Sequence, residues 1–184
     1  MTNALRPWAA QRLYFWFHEL TPRDWYRGGK AVDTLIEARF ARYWHALHQQ
    51  PVESFLGSPR DALGAVLLFD QIPRNIFRGS ADTFASDPLA RAITRGAIVK
   101  GFDLQLTRNE RQFLYMPLMH SEAIADQLLS LRLFTGLGRG FGMSLARSHY
   151  RAVARFGRFP HRNEVLGRSS TAAEQKAVEG GMAW

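Results

Sequence analysis

Apolar residues recur along this chain at the spacing of an α-helix. Between Ala31 and His48 they fall three or four positions apart, at Leu35, Ile36, Phe40, Tyr43, Trp44 and Leu47. Side chains at that spacing share one face of a helix, which can be buried against the rest of a protein. No stretch of useful length alternates apolar and polar residues, and no Asn-Gly or Asp-Gly pair marks a hairpin. The pattern therefore predicts an all-α fold.

Short polar residues stand at the positions where several of these helices are predicted to begin: Ser58, Asp87, Thr107, Ser121 and Thr171. Their side chains can accept a hydrogen bond from a free N–H group in the first turn. The two threonines are each followed three positions later by a Glu, which is the spacing of a capping box. We therefore expect short connections between well-defined helices.

The chain of 184 residues is long enough for one ordinary domain with its own core. We predict a single helical domain over 1–184, with its core at about 8–168 and a tail helix at about 172–179. The sequence has no cysteine, so disulfides and thiolate metal sites are excluded. The longest apolar run, Ala62 to Phe69, is far shorter than the ~20 residues that span a bilayer. These features predict a soluble, cytoplasmic protein with no membrane contact.

A proline interrupts the helix predicted after Ser58. Pro73 has no N–H group, and its ring clashes with the carbonyl of Phe69, so the helix must kink or stop there. The residue before a proline is pushed toward extended geometry, which we expect for Ile72. The carbonyls near Phe69 and Asp70 then need partners from outside the helix.

Polar side chains concentrate in three segments that each contain a proline, at 70–79, 113–122 and 155–171. We expect the ends of the helices to bring these segments together. The residues of the predicted cluster are Gln71, Arg74, Asn75, His120, Glu122, Arg158, His161, Arg162 and Asn163. A second interpretation stays open, in which the same side chains cap helix ends and form a buried network that fixes loop geometry.

The residue types in the cluster suggest proton transfer and anion binding. His120 and His161 are the candidate proton carriers, with Glu122 beside them, because an imidazole titrates near neutral pH. Arginine binds carboxylate and phosphate in a bidentate manner, which makes Arg74, Arg158 and Arg162 candidate anion ligands. Gln71, Asn75 and Asn163 complete the predicted ligand-binding set. We expect neither a metal nor a cofactor, because the sequence has no metal-binding or phosphate-loop motif.

Three quoted segments carry a family resemblance: "DQIPRNIFRG", "FLYMPLMHSE" and "RFGRFPHRNEVLGRSST". With the early "FWF" at 15–17, they resemble an uncharacterised bacterial family, filed as a domain of unknown function. The resemblance covers about 13–174. It implies a tetratricopeptide-like array of antiparallel helix pairs, and it implies no activity.

Charge distribution and fold suggest three classes of partner. The formal charge is +8, and the segment from Arg139 to Arg168 holds seven arginines and one acid. A tetratricopeptide-like array predicts an interaction scaffold for a protein or peptide partner. The polar cluster predicts instead an enzyme or receptor for a small anionic molecule. Nucleic acid is the least expected partner, because no nucleic-acid-binding motif accompanies the basic segment.

Overall fold

Helices account for the regular structure, and no strand occurs among residues 6–182, which are the residues that this computed structural model describes. The all-α prediction is therefore confirmed, while residues 1–5 and 183–184 of the predicted domain lie outside the described residues. None of the described helices is long and apolar enough to cross a membrane. The α-helices are α1 Pro7–Tyr14, α2 Pro22–Arg27, α3 Lys30–Leu47, α4 Pro59–Val66, α5 Pro73–Ile76, α6 Asp87–Val99, α7 Arg108–Met119, α8 Ile124–Leu137, α9 Met143–Phe156 and α10 Ala172–Glu179.

Two turns of π-helix extend α1 and α4, at Phe15–Glu19 and Leu67–Gln71. Short 3₁₀ turns lie in the connections, at Val52–Phe55, Ala81–Phe84, Asp103–Gln105 and Pro160–Arg162.

Most of the predicted caps form. Ser58 accepts a hydrogen bond from the N–H of Asp61 at 3.1 Å, and Thr107 and Thr171 each form a capping box with a Glu. Ser121 does not cap a helix directly. Its hydroxyl accepts from the N–H of Ala123 at 3.2 Å, and α8 begins only at Ile124. The Ser121 prediction was therefore early by two residues. Asp87 is the first residue of α6 and not its N-cap, which is Ser86.

Helix α4 lies at the centre of the molecule and contacts α1, α6 and α7. Its residues from Asp61 to Val66 are all buried. Gly64 permits the close approach of α1, because a Cβ atom at that position would lie 2.9 Å from the Cβ of Ala9. Around this centre, α6 packs on α7, α7 on α8, and α8 on α9. The described helices thus form a single domain around one main core.

The prediction for Ile72 was wrong, since its φ of −59° and ψ of −41° are helical. The N–H of Ile72 donates to the carbonyl of Leu67 at 3.0 Å, five residues back, so the helix widens before Pro73 instead of stopping. A π-turn often marks a functional site. Here it carries the chain into α5 and turns Asp70 into the interior.

The carbonyls that Pro73 leaves without a helical partner are satisfied by side chains, as expected. The hydroxyl of Ser86 donates to the carbonyl of Phe69 at 2.7 Å. The guanidinium of Arg74 donates to the carbonyl of Asp70. Because both acceptors are buried, these bonds replace what the proline removes.

Candidate functional site

A buried carboxylate and an imidazole form the centre of the site. Asp70 is fully buried, and its Oδ1 lies 2.7 Å from Nδ1 of His120. The other oxygen of Asp70 accepts a hydrogen bond from Gln71, and Arg74 lies 3.6 Å from Oδ1. Burial alone would raise the pKa of Asp70, but Arg74 and His120 outweigh it and lower the pKa to about 2. Asp70 is therefore ionised at neutral pH.

The charge on Asp70 fixes the tautomer of His120. A carboxylate can only accept, so Nδ1 of His120 carries the proton and Nε2 is left with a lone pair. Burial lowers the pKa of His120, and the attraction of Asp70 opposes this only in part. The ring is therefore neutral near pH 7, with Nε2 able to accept a proton. A buried aspartate that orients a histidine is a common device in proton transfer.

Two arginines share one carboxylate beside this pair. Arg74 makes two hydrogen bonds to Asp87, at 3.1 and 3.2 Å. Arg162 lies 3.7 Å from the same carboxylate, and its guanidinium lies over the rings of Phe84 and Phe159, 4.5 and 4.4 Å from their centroids. Burial lowers the pKa of Arg162 to about 10, so it stays charged. Its buried Nε has no hydrogen-bond partner among residues 6–182.

A cavity of about 200 Å³ lies among these groups. It is smaller than the roughly 300–1,000 Å³ of most ligand pockets, so it suits a molecule of few atoms. Its walls come from the start of α6, the end of α7 and the segment after α9. The lining residues are Phe84, Asp87, Pro88, Arg91, Pro117, His120, Ser121, Glu122, Arg162 and Leu166.

Glu122 lines the cavity, but both of its oxygens have partners. Arg168 makes two hydrogen bonds to it, at 2.7 and 2.9 Å, and the N–H of Phe159 donates to it at 2.8 Å. Burial raises the pKa of Glu122, while these partners lower it by more. Glu122 is thus ionised and holds the segment that carries Arg162. This arrangement gives no support to the prediction that Glu122 is a proton carrier.

The structure does not bring every predicted residue to the cavity. Asn75 donates to Asp33 at 2.8 Å and joins α5 to α3. Arg158 makes two hydrogen bonds to Glu174 on α10, at 2.6 and 2.9 Å. Each of these residues has a structural partner away from the cavity.

Asn163 and Gln71 are buried beside the site rather than on its wall. The amide of Asn163 donates to the hydroxyl of Ser170 at 3.0 Å, within the segment after α9. Gln71 donates to Asp70 and to the sulfur of Met116, the latter at 3.3 Å. The amide of Asn163 thus positions Ser170, and the amide of Gln71 positions the carboxylate of Asp70.

Two further imidazoles lie near His120. His149 comes from α9, and its ring centroid is 5.9 Å from that of His120. Burial lowers the pKa of His149 to about 2, and the charge of His120 adds to the effect. Burial and the neighbouring Arg162 lower the pKa of His161 to about 4. Both histidines are neutral at physiological pH.

Sequence reasoning missed three residues of the site. Asp70 stands in a segment that was singled out, and its spacing of four from Arg74 is the spacing of a helical ion pair. This spacing could therefore have identified Asp70 from the sequence. Asp87 was interpreted only as a helix start, and His149 lies in an amphipathic helix with nothing to distinguish it from a packed core histidine.

Comparison with known proteins gives a family and one solved structure. Residues 13–181 match the model of a family described as bacterial proteins of unknown function, DUF924. The structure of a protein of unknown function from Agrobacterium tumefaciens, ATU0120, is similar with a TM-score of 0.88 and 38% sequence identity, over 94% of this chain and 97% of that chain. No curated protein matches.

These matches confirm the resemblance seen in the three quoted segments, and like it they carry no activity. Because the family model spans nearly the whole chain, the protein belongs to the DUF924 family of bacterial proteins of unknown function.

Proposed function

We propose that the cavity binds a small molecule with a phosphate or carboxylate group, and that His120 exchanges a proton with it. The observation that carries the proposal is the buried Asp70–His120 pair on the cavity wall, with Nδ1 held at 2.7 Å. Since Nδ1 is engaged, Nε2 is the nitrogen that can receive a proton from a bound molecule. A histidine with a fixed tautomer and a lowered pKa suits that role.

Arg162 supplies the attraction for the anion. The acids on the cavity wall have partners within the protein, Asp87 in Arg74 and Arg162 and Glu122 in Arg168. Arg162 is 3.7 Å from its nearest carboxylate, and its Nε has no partner in the described part of the chain. Arg162 therefore brings to the cavity a cation with an unsatisfied hydrogen-bond donor, which suits a planar carboxylate or a phosphate.

An interaction scaffold for a protein or peptide is the second candidate, with less support. A tetratricopeptide-like array of antiparallel helix pairs stays a prediction, supported by the sequential packing of α6 to α9. Exposed Trp8, Trp25, Tyr26 or Tyr43 would favour a docking groove. Of these, Tyr26 is exposed and the other three are partly buried. Trp25 donates its indole N–H to the carbonyl of Trp16 at 2.8 Å, and Trp8 packs on Phe55. A cytoplasmic location likewise stays a prediction.

Thermal unfolding with inorganic phosphate, acetate and succinate tests the anion site. We expect at least one of these anions to raise the Tm of the wild-type protein and of the control Arg108→Gln, which removes an exposed arginine on α7. The Arg162→Gln variant should show no shift, because it lacks the cavity cation. No shift in the wild-type protein, or an equal shift in Arg162→Gln, would contradict the proposal.

The role of His120 is tested by following its imidazole proton in an NMR titration. A bound anion should raise the pKa of His120, because negative charge near Nε2 stabilises the imidazolium. Anion binding that leaves the pKa of His120 unchanged would limit the site to a receptor without proton exchange.

A further inference from the structure

Helix α9 exposes three arginines in a row on its outer face. Arg147, Arg151 and Arg155 are four residues apart and all exposed. At a rise of about 1.5 Å per residue, the row is about 12 Å long. Small residues lie at helical spacing from the row, since Ser148 is three positions before Arg151 and Ala154 three positions after it. This arginine row is therefore open to a flat or extended partner.

The charge of the arginine row is not neutralised within the protein. In the range 6–182 no ion pair involves any of its three members, whereas Arg74 and Arg78 each bind an aspartate. The surrounding sequence repeats the imbalance, since 127–163 contains seven arginines and no acidic residue. A partner that approaches this face meets positive charge and few competing carboxylates.

The opposite face of α9 holds the row in place. Ala146, His149, Ala152 and Val153 are buried against the rest of the protein. Leu145, at 36% exposure, is the one large apolar side chain that α9 exposes among the described residues. The apolar surface of the helix is already used for packing, so insertion into a lipid bilayer has no support here.

We infer that the arginine row binds the phosphate backbone of a nucleic acid without reading its sequence. Double-stranded DNA carries one charge per ~1.7 Å of its axis, so the row faces several phosphates at once. Interfaces between proteins are depleted of charged residues at their centres, while interfaces with nucleic acids are polar and strongly positive. Ser148, three positions before Arg151 on α9, carries a hydroxyl that can also donate to phosphate.

The absence of a nucleic-acid-binding motif, on which the sequence expectation rested, fits this mode of binding. A motif places side chains against base edges, whereas contacts to phosphate need only positive donors at a suitable spacing. The row is also independent of the cavity, because its members are absent from the cavity wall.

Fluorescence anisotropy with a labelled 20-base-pair DNA duplex and a labelled single-stranded RNA tests the inference. The protein is compared with the triple variant Arg147→Gln, Arg151→Gln, Arg155→Gln. The control triple variant Arg23→Gln, Arg60→Gln, Arg108→Gln removes the same charge from exposed positions elsewhere.

We expect the wild-type and control proteins to bind at least one nucleic acid at 50 mM salt, and the row variant to bind at least tenfold more weakly. For the duplex, the slope of log K against log salt should fall by about 2 to 3 in the row variant, as three phosphate contacts are lost. Equal weakening in both variants would overturn the inference, because the effect would then follow net charge alone. Binding to vesicles of phosphatidylserine with none to either nucleic acid would also overturn it and assign the row to an anionic membrane.

Discussion

Individual residues of the polar cluster differ in what burial does to them. Asp70 keeps its charge in the interior because Arg74 and His120 surround it. His149 and His161 instead lose theirs, because burial and neighbouring cations both penalise the imidazolium. The same environment therefore stabilises one charged acid and two neutral bases.

The lowered histidine pKa values make stability depend on pH. An unfolded histidine takes up a proton near pH 6.5, whereas His161 resists protonation until about pH 4 in the folded protein. The neutral imidazole of His161 stabilises the folded state fully above pH 6.5. This stabilisation is lost as the pH falls toward 4, because the unfolded state then binds more protons than the folded state. Between pH 7 and pH 5, the free energy of unfolding should decrease in urea titrations.

Replacing His161 by Asn should reduce that decrease by up to about 1 kcal/mol after allowance for solvent screening. The control is His45→Asn, which changes an exposed histidine on α3 and should keep the wild-type dependence. A His161→Asn variant with the full wild-type decrease would contradict the assignment.

At the scale of elements, the side chain of Ser86 joins the π-turn at Leu67–Gln71 to α3 by hydrogen bonds. Ser86 is 3% exposed, donates to the carbonyl of Phe69 at 2.7 Å, and accepts from the indole N–H of Trp44 at 2.9 Å. Ser86→Ala leaves both groups buried without a partner. We expect a loss of about 1–3 kcal/mol in the free energy of unfolding, measured by chemical denaturation.

Ser144→Ala on the exposed face of α9 is the matched control and should change stability by less than about 0.5 kcal/mol. If Ser86→Ala had an equally small effect, the carbonyl of Phe69 would not depend on this hydroxyl.

Helix starts were predictable because their signals are local. Thr107 and Thr171 each carry their capping partner three residues away, so a short stretch of sequence contains the whole motif. The geometry at Ile72 was not predictable in this way. The preference against helix before Pro73 is a local steric effect. It is overridden where Ile72 is buried, its N–H donates to Leu67, and Ser86 takes up the carbonyl of Phe69.

For the molecule as a whole, charged pairs join the C-terminal segments to the helical core. Glu122 anchors the segment after α9, and Arg158 anchors α10 through Glu174. Glu174→Gln keeps the hydrogen bond of the capping box but removes the charge that holds Arg158. We expect the amides of 175–179 to exchange with deuterium at least tenfold faster, by mass spectrometry.

Glu179→Gln removes the same charge from an exposed position of α10 and serves as the control. Equal exchange in the two variants would show that α10 is held by its apolar contacts and not by the Arg158–Glu174 pair.

The order of helices and the density of polar residues in three segments predicted where to look in the molecule, but not which pairs would form. His120 meets Asp70 across 50 positions of sequence, and Arg162 meets Asp87 across a still longer separation. Such long-range pairings depend on the packing of α6, α7 and α9, which no local motif encodes. Arg158 has the same residue type as Arg162, and Asn75 follows Arg74 directly, yet the partners of Arg158 and Asn75 lie elsewhere.

The π-turn at Leu67–Gln71 also has a consequence for how this chain can vary. A turn that closes over five residues holds one residue more than an α-turn, and each residue of a helix rotates the next by about 100°. Deleting one residue there would restore a regular helix and turn the side chains on one side of the deletion around the axis. The carboxylate of Asp70 would then face away from α7. The extra residue sets the rotation about the helix axis between the core-facing side of α4 and Asp70, which meets His120. The number of residues in this segment is therefore more tightly constrained than their identity.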